Sequence, residues 1–186
     1  MSIENRIVCL GWGSLLWKPD PLPLASAWRA GGPLLPLEFA RESDGGELAI
    51  VLCEQAPPAP TYWAYLQVDS LEAAREWLRR REQIDPQRPE GIGSLDLSSD
   101  DVRHPLIAAW AEREGIPAVI WTALPPRSAG QEGRIPSEAE VVRYLNDLQG
   151  EPRAHAEAYV RQVPSEIRTP YREAIERQLG WTPRPA

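Results

Sequence analysis

Histidine and cysteine are scarce in this chain, with two of each among 186 residues. Cys9 and Cys53 each lie in an apolar run that predicts a strand, so we expect a buried free thiol at both positions. His104 and His155 are far apart in the sequence, and no cysteine or histidine spacing is typical of a zinc site. The sequence therefore predicts no metal site, and the low cysteine content favours a reducing, cytoplasmic location.

Long apolar runs and a signal sequence are also missing. No run approaches the ~18 apolar residues of a membrane helix, and residues 1–6 lack a basic segment followed by an apolar one. The net charge is -7, from 27 acidic and 20 basic residues, and this excess of negative charge repels a phosphate backbone. We therefore expect a globular protein with neither a membrane nor a nucleic acid as its partner.

The apolar patterns predict an α+β protein whose first part is rich in strands. The predicted strands are 7–10, 33–40, 47–54, 61–68 and 118–124, and 91–97 is either a loop or a short strand. The predicted helices are 69–83, 100–114, 137–148, 152–162 and 170–179. We expect one domain over residues 1–186, with a β core at 1–136 and a helical extension at 137–186 packed on it.

Helix boundaries have clear local signals. Asp69 with Glu72 three residues later has the form of a capping box, and Pro86 is expected to stop that helix. Ser137 and Thr169 are predicted caps of two later helices. The segment 55–60 contains three prolines, which predicts a loop.

A glycine-containing segment follows the first predicted strand directly. It reads Gly11-Trp12-Gly13-Ser14-Leu15. Glycines allow a sharp turn whose backbone N–H groups bind a carboxylate or an oxyanion, although a plain turn after a strand explains the same pattern. The segment lacks the further signals of a dinucleotide site, a phosphate loop or a nucleophile elbow. A similar stretch at residues 91–95 has no apolar strand before it and is not taken as a site.

The helix predicted at 69–83 carries the second candidate feature, Glu82. Three apolar residues at helical spacing form a stripe that Glu82 continues. They are Leu71, Ala74 and Leu78. Burial and the negative helix end disfavour the ionised form of Glu82, whereas the neighbouring Arg79 and Arg81 favour it. A carboxylate under such opposed influences is a candidate general base, and a structural pair between Glu82 and an arginine is the alternative.

Two motifs resemble those of a known family. Gly11-Trp12-Gly13-Ser14-Leu15-Leu16-Trp17-Lys18-Pro19 resembles the signature at the first strand of γ-glutamylcyclotransferases, and it is most similar to the ChaC-like, glutathione-degrading branch. Trp77-Leu78-Arg79-Arg80-Arg81-Glu82 resembles the Arg-Arg-Glu segment that holds the catalytic glutamate of that branch. The resemblance covers roughly residues 5–125. Trp12 stands where the family usually has tyrosine, and residues 85–88 replace a Gly-Tyr pair.

The resemblance implies a fold, a reaction and a set of site residues. The fold would be a small mixed β-barrel with surrounding helices and a helical C-terminal extension. The reaction would be a transferase or lyase step that cyclises a small γ-glutamyl amide to 5-oxoproline, as in glutathione metabolism, without metal or cofactor. Glu82 would be catalytic. The substrate-binding residues would be Trp12, Gly13, Ser14 and Leu15, facing the same cavity as Glu82. The leaving amine and the oligomeric state stay open.

Two other functions compete with this reading. A non-catalytic member of the same fold would bind a small ligand or present its helical tail to a protein, which the departures at Trp12 and residues 85–88 favour. An unrelated α+β hydrolase would need a nucleophile and base that the sequence does not offer. The presence of Glu82 favours the cyclotransferase.

Overall fold

The computed structural model describes residues 6–99 and 104–185, and this part of the chain is an α+β protein with two mixed sheets. The strands are β1 (Ile7–Gly11), β2 (Leu35–Glu42), β3 (Leu48–Leu52), β4 (Pro58–Ala59), β5 (Tyr62–Tyr65), β6 (Ile92–Asp96), β7 (Ala118–Thr122), β8 (Arg127–Ser128) and β9 (Gln131–Glu132). The helices are α1 (Leu71–Glu82), α2 (Pro105–Glu114), α3 (Glu138–Asp147), α4 (Gly150–Gln162) and α5 (Pro170–Leu179). The predicted α+β class is confirmed.

The chain divides into two compact units, each made of three segments. The first contains Met1–Gly11, Lys18–Leu34 and Pro60–Leu124, and the second contains Trp12–Trp17, Leu35–Ala59 and Pro125–Ala186. The segment 137–186 therefore shares a unit with β2 and β3. The assignment of all 186 residues to one domain stays a prediction.

The first unit contains a four-stranded sheet in the order β5-β1-β7-β6. β1 is antiparallel to β5 and parallel to β7, and β7 is antiparallel to β6. The apolar residues of β1 are at most 3% exposed, as expected for a central strand with both faces buried. α1 packs against β6 and β7, and α2 packs against β7.

The second unit contains the other sheet, in the order β3-β2-β8-β9, with β4 also paired to β2. β2 and β3 form an antiparallel hairpin whose turn includes Gly46 at a φ of 94°, a conformation that favours glycine. α4 packs on β3 and α5 packs on β2, while α3 contacts both of these helices. The helical tail thus covers the β2–β3 hairpin.

The strand pairing differs from the predicted single small barrel. Within residues 6–99 and 104–185, neither strand order closes on itself, and the predicted β core contributes strands to two separate sheets. Pairing depends on which distant strands meet, and the alternation of apolar residues carries no information about that choice. β4 also lies inside the segment predicted as a loop, paired to the start of β2.

Local signals gave mixed results at the helix ends. Ser137 and Thr169 are the predicted caps, and each side chain accepts a hydrogen bond from an N–H of the first turn. α1, however, is capped by Ser70 rather than Asp69, because two equally suitable cap residues are adjacent. α1 ends at Glu82, four residues before Pro86. The next residue, Gln83, adopts a left-handed conformation with a φ of 57°. Residues 100–103 of the predicted second helix lie outside the described residues, and α2 begins at Pro105.

None of the helices in this described part combines the length and the apolar character needed to cross a membrane.

Candidate functional site

The position of Glu82 follows from the packing of α1. Ala74 and Leu78 are fully buried, and Glu82 continues their stripe at the last helical residue. Its side chain is 17% exposed, so this carboxylate lies largely out of water. The apolar spacing of α1 therefore places one acidic group at the buried edge of the helix, as the sequence predicts.

One of the two predicted arginine partners contacts Glu82. Arg81 Nη1 lies 3.2 Å from Glu82 Oε1, and both side chains are under 20% exposed. Arg81 Nε also donates to the Lys18 carbonyl at 3.0 Å, which anchors the guanidinium. The expected contribution of Arg79 is wrong: Arg79 pairs with Glu76 at 2.7 Å and donates to the Ile84 carbonyl, also at 2.7 Å.

Burial decides the protonation of Glu82. Burial raises the pKa of the Glu82 carboxyl, and the charge of Arg81 lowers it by less, so the pKa stays above its usual range. Glu76 on the same helix shows the opposite behaviour, since hydrogen bonds from Arg79 and Arg80 lower its pKa to about 2. A purely structural ion pair resembles Glu76, whereas Glu82 has the raised pKa of a candidate proton acceptor.

The Cys9 thiol lies close enough to Glu82 for the charge of the carboxylate to affect the pKa of the thiol. Cys9 is completely buried, and its Sγ contacts the Leu10 carbonyl at 3.3 Å. Burial raises the pKa of the Cys9 thiol, and the charge of Glu82 raises it further. A protonated, inaccessible thiol is a poor nucleophile, so Glu82 is the group in this region suited to proton transfer.

In the glycine-containing segment, Trp12–Leu15 belong to the second unit, and a short 3₁₀ turn forms at Ser14–Leu16. The Leu16 N–H donates to the Gly13 carbonyl at 3.0 Å, and the Trp17 N–H donates to the Ser14 carbonyl at 3.2 Å. Gly13 and Leu15 are buried and Ser14 is half-buried. Ser14 is therefore the most accessible of the four residues proposed to bind substrate.

Trp12 is used to attach this segment to the edge strand β3. Its indole Nε1 donates to the Ile50 carbonyl at 3.2 Å, and its side chain is buried. The N–H of the same residue, Ile50, donates to the Tyr159 hydroxyl at 3.2 Å. Trp12 therefore has no free indole N–H to offer a ligand, and its contribution to a site is limited to its backbone.

Tyr159 explains why residue 13 is glycine. A Cβ at Gly13 would lie 2.7 Å from the Tyr159 hydroxyl oxygen and 3.2 Å from Ile50 Cγ2. Sequence reasoning missed this residue. The only available signal is its position on α4 between the buried Ala156 and Val160, and that pattern does not identify Gly13 as its neighbour.

The similar stretch at residues 91–95 has a structural explanation. It forms most of β6, which pairs with β7. A Cβ at Gly93 would lie 2.1 Å from the Trp121 ring, so glycine here allows the indole to cover the strand. Of the two predictions for residues 91–97, a loop or a short strand, the short strand is the one observed.

Possible metal ligands do not cluster in the part of the chain that the structure describes. No group of three histidine, cysteine or acidic side chains there is arranged to hold a metal ion. His155 contacts Glu47, and His104 packs edge-on against Trp121. Each histidine thus has its own separate environment.

Comparisons of the chain with protein-family models, with curated proteins and with solved structures found no match. The resemblance to γ-glutamylcyclotransferases therefore rests on the two sequence motifs alone. Of their residues, Glu82 and Arg81 lie together in the first unit, and Trp12, Gly13, Ser14 and Leu15 lie together in the second.

Proposed function

We propose that the protein is an enzyme of the γ-glutamylcyclotransferase-like superfamily, most similar to the ChaC-like branch, with the fold of that superfamily. It cleaves a γ-glutamyl amide by intramolecular cyclisation and releases 5-oxoproline and a free amine. The observation that carries the proposal is the buried carboxylate of Glu82, whose pKa is raised although Arg81 lies 3.2 Å away.

The reaction needs orientation and proton transfer. The α-amino nitrogen of the substrate forms a new bond to its own γ-carbonyl carbon, and the bond from that carbon to the leaving nitrogen breaks. Glu82 accepts a proton from the α-ammonium group before attack and donates it to the leaving nitrogen, and the second proton that the α-nitrogen loses as the lactam forms passes to solvent. Because nucleophile and electrophile belong to one molecule, holding them in a reactive geometry supplies much of the acceleration.

The environment of Glu82 suits both proton transfers. A carboxylate with a raised pKa accepts a proton more readily than an exposed one does. Arg81 limits that rise and so keeps the ionised form available. No covalent step is required of Cys9, whose burial keeps it protonated.

The substrate-binding role that the resemblance implies is kept for four residues, which are Trp12, Gly13, Ser14 and Leu15. The Trp12 side chain is occupied by the Ile50 carbonyl, so binding through this segment falls to its backbone and to Ser14. Backbone N–H groups at a turn stabilise a developing oxyanion, and removing one such donor typically costs about 10²–10³ in rate.

A direct assay tests this proposal. Purified protein is incubated with a panel of γ-glutamyl compounds, including glutathione, γ-glutamyl amino acids and ε-(γ-glutamyl)lysine, and 5-oxoproline is quantified by mass spectrometry. Glu82→Gln should lower kcat by at least ~10²-fold, the low end for loss of a general base, with a smaller effect on KM. Glu76→Gln is the matched control, since it makes the same change on the same helix at a residue that pairs elsewhere, and its kcat should be that of the wild type.

Two results would contradict the enzyme assignment. Glu82→Gln protein that releases 5-oxoproline at the wild-type rate would remove the catalytic role. Wild-type protein that binds a γ-glutamyl compound in calorimetry but never releases 5-oxoproline would identify the non-catalytic alternative, a ligand-binding member of the same fold.

A further inference from the structure

We propose that Tyr159, contributed by the helical tail, is a positioning residue that sets the conformation of the substrate-binding turn at Trp12–Trp17. This inference rests on the proposed function. It assigns a role to the tail, which has no counterpart in the two motifs, and it concerns contacts made entirely within the second unit.

The first support is the edge of the sheet. β3 ends the strand order β3-β2-β8-β9 among the described strands, and backbone groups on an outer edge need partners other than a strand. Ile50 in β3 finds two, since its carbonyl accepts from the Trp12 indole and its N–H donates to the Tyr159 hydroxyl, each at 3.2 Å. One peptide segment of β3 thereby joins the start of the turn to α4.

The second support is the space beside Gly13. The Tyr159 hydroxyl lies 2.7 Å from the place that a side chain at Gly13 would occupy. At the far end of the turn, the Tyr159 ring meets the Trp17 ring edge-on, with centroids 5.5 Å apart and planes at 69°. Tyr159 therefore contacts the turn near its beginning and at its end, and it limits the positions open to the intervening backbone.

The hydroxyl and the ring make separable contributions. Tyr159→Phe keeps the ring that contacts Trp17 and removes the oxygen that accepts from Ile50 and adjoins Gly13. A suitable control is Tyr144→Phe on α3. The Tyr144 hydroxyl also joins the tail to the β2–β3 hairpin, by donating to the Gly46 carbonyl at 2.9 Å.

The kinetic test compares these two variants with the wild type on the best γ-glutamyl substrate. Tyr159→Phe should raise KM about 3- to 10-fold, the equivalent of one hydrogen bond, because the turn no longer has one binding geometry. Its kcat and the pH at which kcat/KM rises should stay near wild type, since Glu82 is unchanged. Tyr144→Phe should keep the wild-type KM while shifting the melting temperature by a similar amount.

A double-mutant cycle tests the contact without reference to activity. Gly13→Ala places a methyl group 2.7 Å from the Tyr159 hydroxyl oxygen, so in the wild type the tyrosine must shift and the substitution should be destabilising. In the Tyr159→Phe background the nearest remaining atom is Ile50 Cγ2 at 3.2 Å, so the same substitution should cost less in urea unfolding. In the Tyr144→Phe background, Gly13→Ala should lower the free energy of unfolding by the same amount as in the wild type.

The outcomes separate the two proposals. If Tyr159→Phe protein keeps the wild-type KM, the positioning role is overturned, even if the double-mutant cycle shows coupling between Gly13 and Tyr159. If the effects of the two substitutions on stability are additive, the contact on which the positioning role depends is overturned. If the wild-type protein releases no 5-oxoproline from any substrate, the proposed function fails. The positioning of the turn by Tyr159 is then decided by the cycle alone, where coupling supports it and additivity overturns it.

Discussion

At the scale of the residue, Glu82 and Glu76 show how one helix produces two kinds of carboxylate. Glu76 accepts hydrogen bonds from Arg79 and Arg80, and its pKa falls to about 2. Glu82 is buried beside Arg81, and its pKa is raised. Position on the apolar stripe, rather than the number of nearby arginines in the sequence, therefore decides which glutamate has the raised pKa.

The raised pKa of Glu82 has a consequence for stability. The folded state binds this proton more tightly than the unfolded state, whose glutamate has a pKa of about 4.3. The contribution of Glu82 to stability is therefore fully present below that pH and is lost as the pH rises through the folded-state pKa. The ionised form of this buried carboxylate costs stability, a compromise that is common where function requires a buried charge.

Arg81 should control the pH dependence of the reaction. Its positive charge opposes the effect of burial on the pKa of Glu82, so Arg81→Met should raise that pKa. The ascending limb of kcat/KM against pH, which reports the base in the free enzyme, should then move to higher pH. The control is Arg80→Met, which makes the same change at a neighbouring residue that pairs with Glu76 and is 58% exposed. Limbs that coincide in the two variants would contradict the role of Arg81.

At the scale of the element, α5 is attached to β2 through a buried carboxylate. Glu38 is 3% exposed, and its Oε1 accepts from the Thr169 hydroxyl at 2.6 Å and from the Phe39 N–H at 2.9 Å. The Thr169 hydroxyl also accepts from the Arg172 N–H, which caps α5. Burial raises the pKa of Glu38 in spite of these hydrogen bonds.

A buried arginine joins the same helix to α4. Arg172 is fully buried, and burial lowers the pKa of its guanidinium to about 10. Four backbone carbonyls accept its hydrogen bonds, and they belong to Val160, Val163, Pro164 and Ile167. These carbonyls lie at the end of α4 and in the connection to α5, so one side chain orders that connection.

Removing the Thr169 hydroxyl should therefore destabilise the folded protein more than removing an ordinary helix cap does. Thr169→Ala loses the α5 cap, worth about 1 kcal/mol, and takes a donor from a buried carboxylate, worth about 1–3 kcal/mol. Urea unfolding should show a loss of about 2–4 kcal/mol by the sum of these two effects. The loss should be larger at pH 8 than at pH 5, because the hydroxyl stabilises the ionised form of Glu38.

Ser137→Ala provides the comparison, since Ser137 caps α3 by the same type of bond at an exposed site. It should cost about 1 kcal/mol at both pH values. Equal losses in the two variants would show that Thr169 acts only as a helix cap.

At the scale of the whole molecule, the helical tail forms a layer that packs on the β2–β3 hairpin. α4 lies on β3 and α5 lies on β2, and residues of both strands are nearly inaccessible, including Leu37, Phe39 and Ile50. Without the tail, this apolar surface would face water, and exposed strands of this type aggregate.

Deleting residues 137–186 should therefore abolish folding rather than remove an accessory module. The fragment 1–136 should be insoluble or should lack a cooperative thermal transition, whereas the full chain, expressed in parallel, should melt cooperatively. A soluble fragment 1–136 with a single sharp transition would show that the tail is a separate module. It would also favour the hypothesis that the tail binds a partner.

The sequence by itself determined the features that depend on neighbours a few residues away. Ser137 and Thr169 cap helices through bonds to residues three positions ahead, and the stripe that places Glu82 repeats every three to four residues. Apolar runs likewise identified the main strands. Hydrogen bonds and periodicities of this range are properties of the local chain, so they can be predicted before the fold is known.

Only the tertiary structure decided which distant groups meet. Packing decided three features. The predicted β core is split into two sheets, Arg81 rather than Arg79 is the partner of Glu82, and Tyr159 contacts Gly13. The burial that raises the pKa of Glu82 depends on packing too. Local patterns state which face of an element is apolar, but the surface that covers this face is chosen by the whole chain, since many pairings satisfy the same pattern.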